Sequence, residues 1–194
     1  RWVLAAASLC ALLAILGARQ LTVYHNPIAW IPKGYAIKDA FDAFDRHLGG
    51  AAELTLLIEA KPGRTLKDRE LLLRLERLER YIRAYQHPSF GRPVASVISM
   101  LDPVRESHRA LHDGAPDAYR VPDTERGVVD VVTLFEGAAP DDLRRLATID
   151  MTRAVMTARV KWMDASSYRP LVEYIEAGVA QHIGERPRDR GDAA

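Results

Sequence analysis

Residues 53–59 (ELTLLIE), 65–86 (TLKDRELLLRLERLERYIRAYQ) and 94–99 (VASVIS) carry the pattern that decides the fold. In the first stretch Leu54, Leu56 and Ile58 alternate on one face, the period of a strand, while Leu57 on the other suggests that both faces are partly covered. In the second, Leu71, Leu75, Leu78, Ile82 and Tyr85 recur at helical spacing and form one apolar stripe. Thr65-Leu66-Lys67-Asp68 has the form of a capping box at its start, and His87-Pro88 ends it. Glu70/Arg74, Glu76/Arg80 and Glu79/Arg83 stand at i,i+4 in the favourable order, each pair worth about 0.2–0.5 kcal/mol. That charge run predicts a solvated helix face, not a binding patch. VASVIS returns as a second strand. Strand, long helix, strand is a βαβ unit, expected to cross over right-handed.

A second half follows. Thr152 to Lys161 alternates Ala154, Met156, Ala158 and Val160 against more polar neighbours, a third strand. Ser166 or Ser167 can then cap a helix carrying Leu171, Val172, Ile175, Val179 and Ile183, with Pro170 tolerated in its first turn. The three strands are expected in one sheet, with helices 66–86 and 167–183 side by side on one face. Between the halves lies a helical insertion over about residues 101–148, punctuated by Asp113-Gly114, Pro116 and Pro122. Upstream, Ile37, Phe41, Phe44 and Leu48 predict an amphipathic helix stopped by Gly49-Gly50, and Gln20 to Tyr24 a short strand. Residues 185–194, rich in proline, glycine and charge, read as a flexible linker, so this β-α half lacks a closing strand.

From Trp2 to Ala18 no residue is charged, and Arg1 and Arg19 bracket the run. As a helix it would be about 25 Å long, against a hydrocarbon core of about 30 Å. The chain opens on Arg rather than Met, so further residues are expected upstream and would complete a transmembrane helix over residues 1–19. A signal-peptide core and a buried helix are the competing readings, although a helix apolar all round needs a much larger protein to bury it.

The composition narrows the function classes. With 27 basic and 26 acidic side chains the net charge is +1, which gives no electrostatic case for nucleic acid. At 48% apolar residues the chain is no disordered acidic tail, and one cysteine excludes a disulfide framework or a Cys-rich metal module. His108 and His112 stand at i,i+4, a spacing that can bind zinc, but Arg109-Ala110-Leu111 between them lacks the glutamate of a zinc protease. They are weak metal candidates. Cys10 lies inside the apolar run, Asp102-Pro103 and Asp141-Asp142 read as helix-start devices, and Trp30 and Tyr35 flank a proline-rich turn. No catalytic constellation and no cofactor motif emerge, so no enzyme activity is expected.

The order of parts resembles the RND superfamily of bacterial exporters, in its MMPL-type and hopanoid-exporter-like branch. The pieces that carry the likeness are N-P-I-A-W-I-P-K-G-Y (Asn26 to Tyr35), Phe44 with Leu48-Gly49-Gly50, the strand Leu54 to Ile58 and V-A-S-V-I-S-M-L-D (Val94 to Asp102). Asp141 to Leu146 (D-D-L-R-R-L), Asp150, Arg153 and the strand ending Ala158-Arg159-Val160 continue it in the family's order. Each piece is a soft pattern, and the weight lies in the collinear series. The resemblance implies an α+β fold: an N-terminal transmembrane helix, then a porter subdomain with a ferredoxin-like βαβ repeat and a helical insertion over residues 20–184, its last strand lying beyond this sequence. It implies an inner-membrane protein with the soluble domain in the periplasm, part of a proton-driven exporter of lipids or other hydrophobic molecules. The implied partners are the lipid bilayer, a lipid-like substrate, the remaining transmembrane helices and a second porter domain of the same transporter, with homo-oligomerisation open. The family's proton-relay acids lie on later transmembrane helices, none of them in this sequence. A single-span, membrane-anchored periplasmic binding or scaffolding protein is the alternative.

Overall fold

The computed structural model describes residues 2–18, 27–32 and 34–184. In chain order its elements are α1 (Trp2–Ala18), a 3-10 turn (Pro27–Trp30), α2 (Ala36–His47), β1 (Ala52–Glu59), α3 (Arg69–Arg83), β2 (Val94–Ile98) and α4 (Leu101–Ala110). A second 3-10 turn (Pro116–Ala118), α5 (Glu125–Ala138), α6 (Pro140–Leu146), β3 (Arg153–Val160) and α7 (Ala165–His182) complete it. β1 and β3 pair antiparallel, Leu56 opposite Met156 and Glu59 opposite Arg153. β2 pairs antiparallel with the other side of β3, with a register shift between Val94 and Ser96. The order is therefore β1-β3-β2. β1 and β2 run in the same direction but never touch, because the strand of the second half separates them.

One face of this sheet is packed. Ile58, Val97, Met156, Ala158 and Val160 point into a core that α3 closes with Leu72, Leu75, Leu78 and Ile82, and α7 with Leu171 and Ile175. The two helices lie against each other. The Tyr81 and Tyr174 rings stack at 4.2 Å, and the Tyr174 hydroxyl donates to the Tyr81 carbonyl at 3.1 Å. The approach is close enough that a Cβ on Gly178 would lie 2.5 Å from the Tyr81 ring. The insertion extends the same core, α4 contributing Val104, α5 Val128, Val131 and Val132, and α6 Leu143. α2 sits at the rim. It buries no residue, but Phe41 meets Trp162 edge-on at 5.7 Å and Asp45 accepts from the amides of Ala51 (3.1 Å) and Trp162 (3.3 Å).

Several expectations are corrected. Among the described residues no helix is long and apolar enough to cross a membrane. α1 has 17 residues and reaches about 25 Å, short of about 30 Å of hydrocarbon. The fold is a mixed α/β arrangement of a three-stranded antiparallel sheet and seven α-helices among the described residues, in place of an α+β fold with a transmembrane helix and a ferredoxin-like βαβ repeat. Leu57 is 63% exposed, so the second face of β1 is not covered. The buried face of α3 takes Leu72 and Glu79, while Leu71 is only partly buried. Pro170 stands in the second turn of α7, capped by Asp164, whose carboxylate accepts from the Ser166 amide at 3.2 Å. The expected strand at Gln20–Tyr24, the linker 185–194 and any strand beyond it lie outside the described residues.

α3 also starts later than a box on Thr65 would have it. Asp68 is the cap: one carboxylate oxygen accepts from the amides of Glu70 (2.9 Å) and Leu71 (3.2 Å), and the other from Arg64 at 2.7 Å. Partial burial pushes this carboxyl upward, but the amides of Leu71 and Glu70 together with Arg64 outweigh it and hold its pKa below the ordinary value. A lowered folded-state pKa gives stability that is present above the unfolded value, about 3.9, and lost as pH falls through the folded one. Asp68→Ala should therefore cost about 0.5–2 kcal/mol at neutral pH. Urea melts repeated down to pH 3 should show the gap between variant and wild type closing.

The core makes a second expectation. Leu78→Ala, at a position with no exposure, should destabilise by about 2–5 kcal/mol in chemical denaturation. Leu57→Ala, on the open face, should stay within about 0.5 kcal/mol of wild type.

Candidate functional site

Two polar clusters and one open surface stand out. The first cluster lies where α3, α4 and β2 meet. Glu79 (5% exposed) and Arg105 (9% exposed) are both buried. The Arg105 guanidinium donates to Glu79 at 2.8 Å and to Glu76 at 2.9 Å, a fork spanning one turn of α3. Arg83 donates to the second oxygen of Glu79 at 2.9 Å and to the Val97 carbonyl of β2 at 2.9 Å. Asp102, beside them, accepts from the Ser99 amide at 2.9 Å, as a residue that starts a helix should. Burial and the neighbouring Glu79 push its carboxyl above the usual carboxylate range, against the pull of the Ser99 amide, Arg105 and Arg83. Glu79 is held by Arg105 of α4 and by Arg83, which also reaches β2, so the cluster clamps the insertion to the sheet.

The second cluster is the predicted histidine pair. His108 is buried, and its Nδ1–H donates to the Ala118 carbonyl at 2.8 Å. His112 donates from Nδ1–H to the His108 carbonyl at 2.8 Å, and the two rings meet edge to face at 4.4 Å. A carbonyl only accepts, so both rings carry a proton on Nδ1. Zinc takes three or four protein ligands, and among the described residues no group of three or more His, Cys, Asp or Glu could hold a metal ion. What the pair does visibly is tie the end of α4 to the 116–118 turn.

The open surface is the outer face of the sheet. Four cross-strand pairs line it: Glu53–Arg159 (3.3 Å), Thr55–Thr157 (3.3 Å), Leu57–Val155, and Glu59–Arg153 (3.0 Å). Three are polar and one is apolar. Beside the apolar pair the α6–β3 connection turns back along β3 and borders an open groove of about 780 Å³. Leu57, Leu146, Ile149 and Val155 supply its apolar wall, and Arg144, Arg145 and Arg153 stand around it.

Of the residues singled out in the sequence, His108 and His112 come together, and Asp102, Asp141 and Asp142 start helices. Trp30 and Tyr35 are both exposed, and Cys10 lies exposed on α1, away from both clusters. Sequence reasoning passed over Arg105, because nothing local marks an arginine on a predicted helix as a partner for a residue 26 positions away. It passed over Ile149 as well, although a β-branched residue between Thr148 and Asp150 in a turn is itself a signal. Comparison with protein-family models finds no match, and comparison with curated proteins finds no similar sequence.

The clamp is open to a direct measurement. Arg105→Met should cost about 3 kcal/mol or more in urea denaturation, because it strips buried Glu79 of one of its two cations. Glu79→Leu combined with Arg105→Met should cost clearly less than the two single changes added together, the sign of direct coupling.

Proposed function

We propose that the chain is part of a proton-driven exporter of the RND type, in which residues 20–184 form a periplasmic porter unit. In this reading the unit contributes to the passage of lipids or other hydrophobic molecules out of the inner membrane. Transmembrane helices outside this sequence and a second porter domain of the same transporter are its partners. What carries the reading is the collinear series from Asn26 to Val160, whose pieces follow the order of the MMPL-type branch. The sheet lends support of a general kind, since it buries one face against its own helices and leaves the other uncovered for a neighbour. The chemistry is consistent with a passive, shape-providing domain: buried Glu79 and Arg105 are paired with each other, and energy coupling would reside in helices outside this sequence.

The test is made in cells. Deleting the gene should slow the efflux of a lipophilic fluorescent dye, and a protonophore should bring wild-type cells down to the level of the deletion. Unchanged efflux on deletion would overturn the export reading. For the periplasmic placement, a cysteine at exposed Arg64 should react with a membrane-impermeant thiol reagent once the outer membrane is permeabilised. Protection until the inner membrane is lysed would overturn that placement.

A further inference from the structure

The groove on the outer face of the sheet has a composition that calls for a ligand. Ile149 is 83% exposed and Leu57 63% exposed, and both line this one groove. The turn that carries Ile149 is tied down on every side. The Thr148 amide donates to the Arg153 carbonyl at 2.9 Å, and the Met151 amide donates to the Thr148 carbonyl at 2.9 Å. The Thr152 hydroxyl donates to Asp150 at 2.8 Å, and Ala147 bridges to Ala154 of β3. Met151 is itself buried, with a φ of 54° that a side chain rarely adopts. Ile149 is thus carried on a hydrogen-bonded turn that lines the same groove as Leu57 and Val155, which together form its apolar floor.

The charged residues that line the groove are three arginines and one carboxylate, Asp150, which already accepts from the Thr152 hydroxyl. Arg144, Arg145 and Arg153 surround the floor, and each is mostly solvent-facing. Their partners are Asp141 at 3.0 Å, Asp142 at 3.8 Å and Glu59 at 3.0 Å, surface pairs that salt screens and that exchange at little cost. Guanidiniums so placed can turn to a carboxylate, sulfate or phosphate, which they bind through paired N–H groups. The groove measures about 780 Å³ and is open to solvent along much of its surface.

We propose that this groove binds a single-chain anionic amphiphile, the alkyl chain lying on Leu57, Ile149 and Val155 and the anionic head taken by Arg144, Arg145 and Arg153. The site goes beyond the exporter reading and stands without it: binding is scored on the purified chain, whereas export is scored in cells, so either can fail alone.

The probe is a photoreactive diazirine analogue of dodecanoate, applied to the full chain below its micelle concentration, with crosslinks mapped by mass spectrometry. α1, apolar on its described surface, serves as an internal control that any amphiphile should label. The expected result is labelling of the peptides holding Leu57 and Ile149–Val155. Dodecanoate and dodecyl phosphate should compete for that labelling at least tenfold better than dodecyl maltoside or dodecyltrimethylammonium, and the two anions separate a preference for carboxylate from one for phosphate. The paired change Leu57→Asn with Ile149→Ser should reduce groove labelling at least tenfold and leave α1 labelling unchanged. So should Arg144→Glu with Arg145→Glu. All four positions are exposed, and circular dichroism confirms that each variant folds. Labelling confined to α1, equal competition by neutral or cationic amphiphiles, or groove labelling that survives both variants would overturn the proposal.

Discussion

Glu79 sits on the inward face of α3, where a helix of this kind ordinarily places a leucine. A carboxylate taken out of water loses a large hydration energy, and only close, well-aligned donors restore it. Here they come from two directions, Arg105 of α4 and Arg83 of α3 itself, and the second also reaches the Val97 carbonyl of β2. One buried anion therefore fixes the relative positions of three elements. Its geometry ties the crossover helix to the insertion, and through Arg83 to the strand that closes the first half. Apolar packing supplies the cohesion of this core, whereas the clamp selects one register: a one-turn slide of α4 along α3 would leave Glu79 short of a partner.

With that register set, the rest of the molecule is one-sided. The core lies between the sheet and the α3–α7 pair, and α4, α5 and α6 lengthen it at one end without crossing to the other face. The outer face carries a polar ladder, which an antiparallel sheet facing water requires. The Leu57–Val155 step breaks that ladder, at the place where the α6–β3 connection brings Ile149 across.

How much of this was legible depends on the range of the interaction. Strands and helices followed from local periodicity, so residues 53–59, 94–99 and 152–161 gave β1, β2 and β3 within a residue or so, and the insertion over about 101–148 its helical character. The α3–α7 pairing followed from matched apolar stripes. What failed was non-local. The period of α3 could not separate Leu71 from Leu72 as the inward residue, because adjacent leucines satisfy either phase. Glu79 and Arg83 have the spacing of a solvated pair, and only Arg105, distant in sequence, turns their end of the helix inward. Leu57 misled in the other direction: an apolar residue on the second face of a strand signals a covering layer, and none lies over it. The transmembrane expectation rested on an apolar run whose helical length had to be completed by residues outside it.

The groove shows why candidate sites of this type escape sequence analysis while their scaffolds do not. None of its residues is a motif. Arg144 and Arg145 look like the basic end of a short helix, where they favour the dipole, and Arg153 like the partner of Glu59. Each has a sufficient local reason to exist. Their common feature appears only when the Thr148–Arg153 hydrogen bond and the Ala147–Ala154 bridge fold the connection back on β3, which lines up two arginines of a helix with one of a strand. Backbone hydrogen bonds of a turn thus gather the arginines of three ordinary surface ion pairs, with Asp150, around an apolar floor.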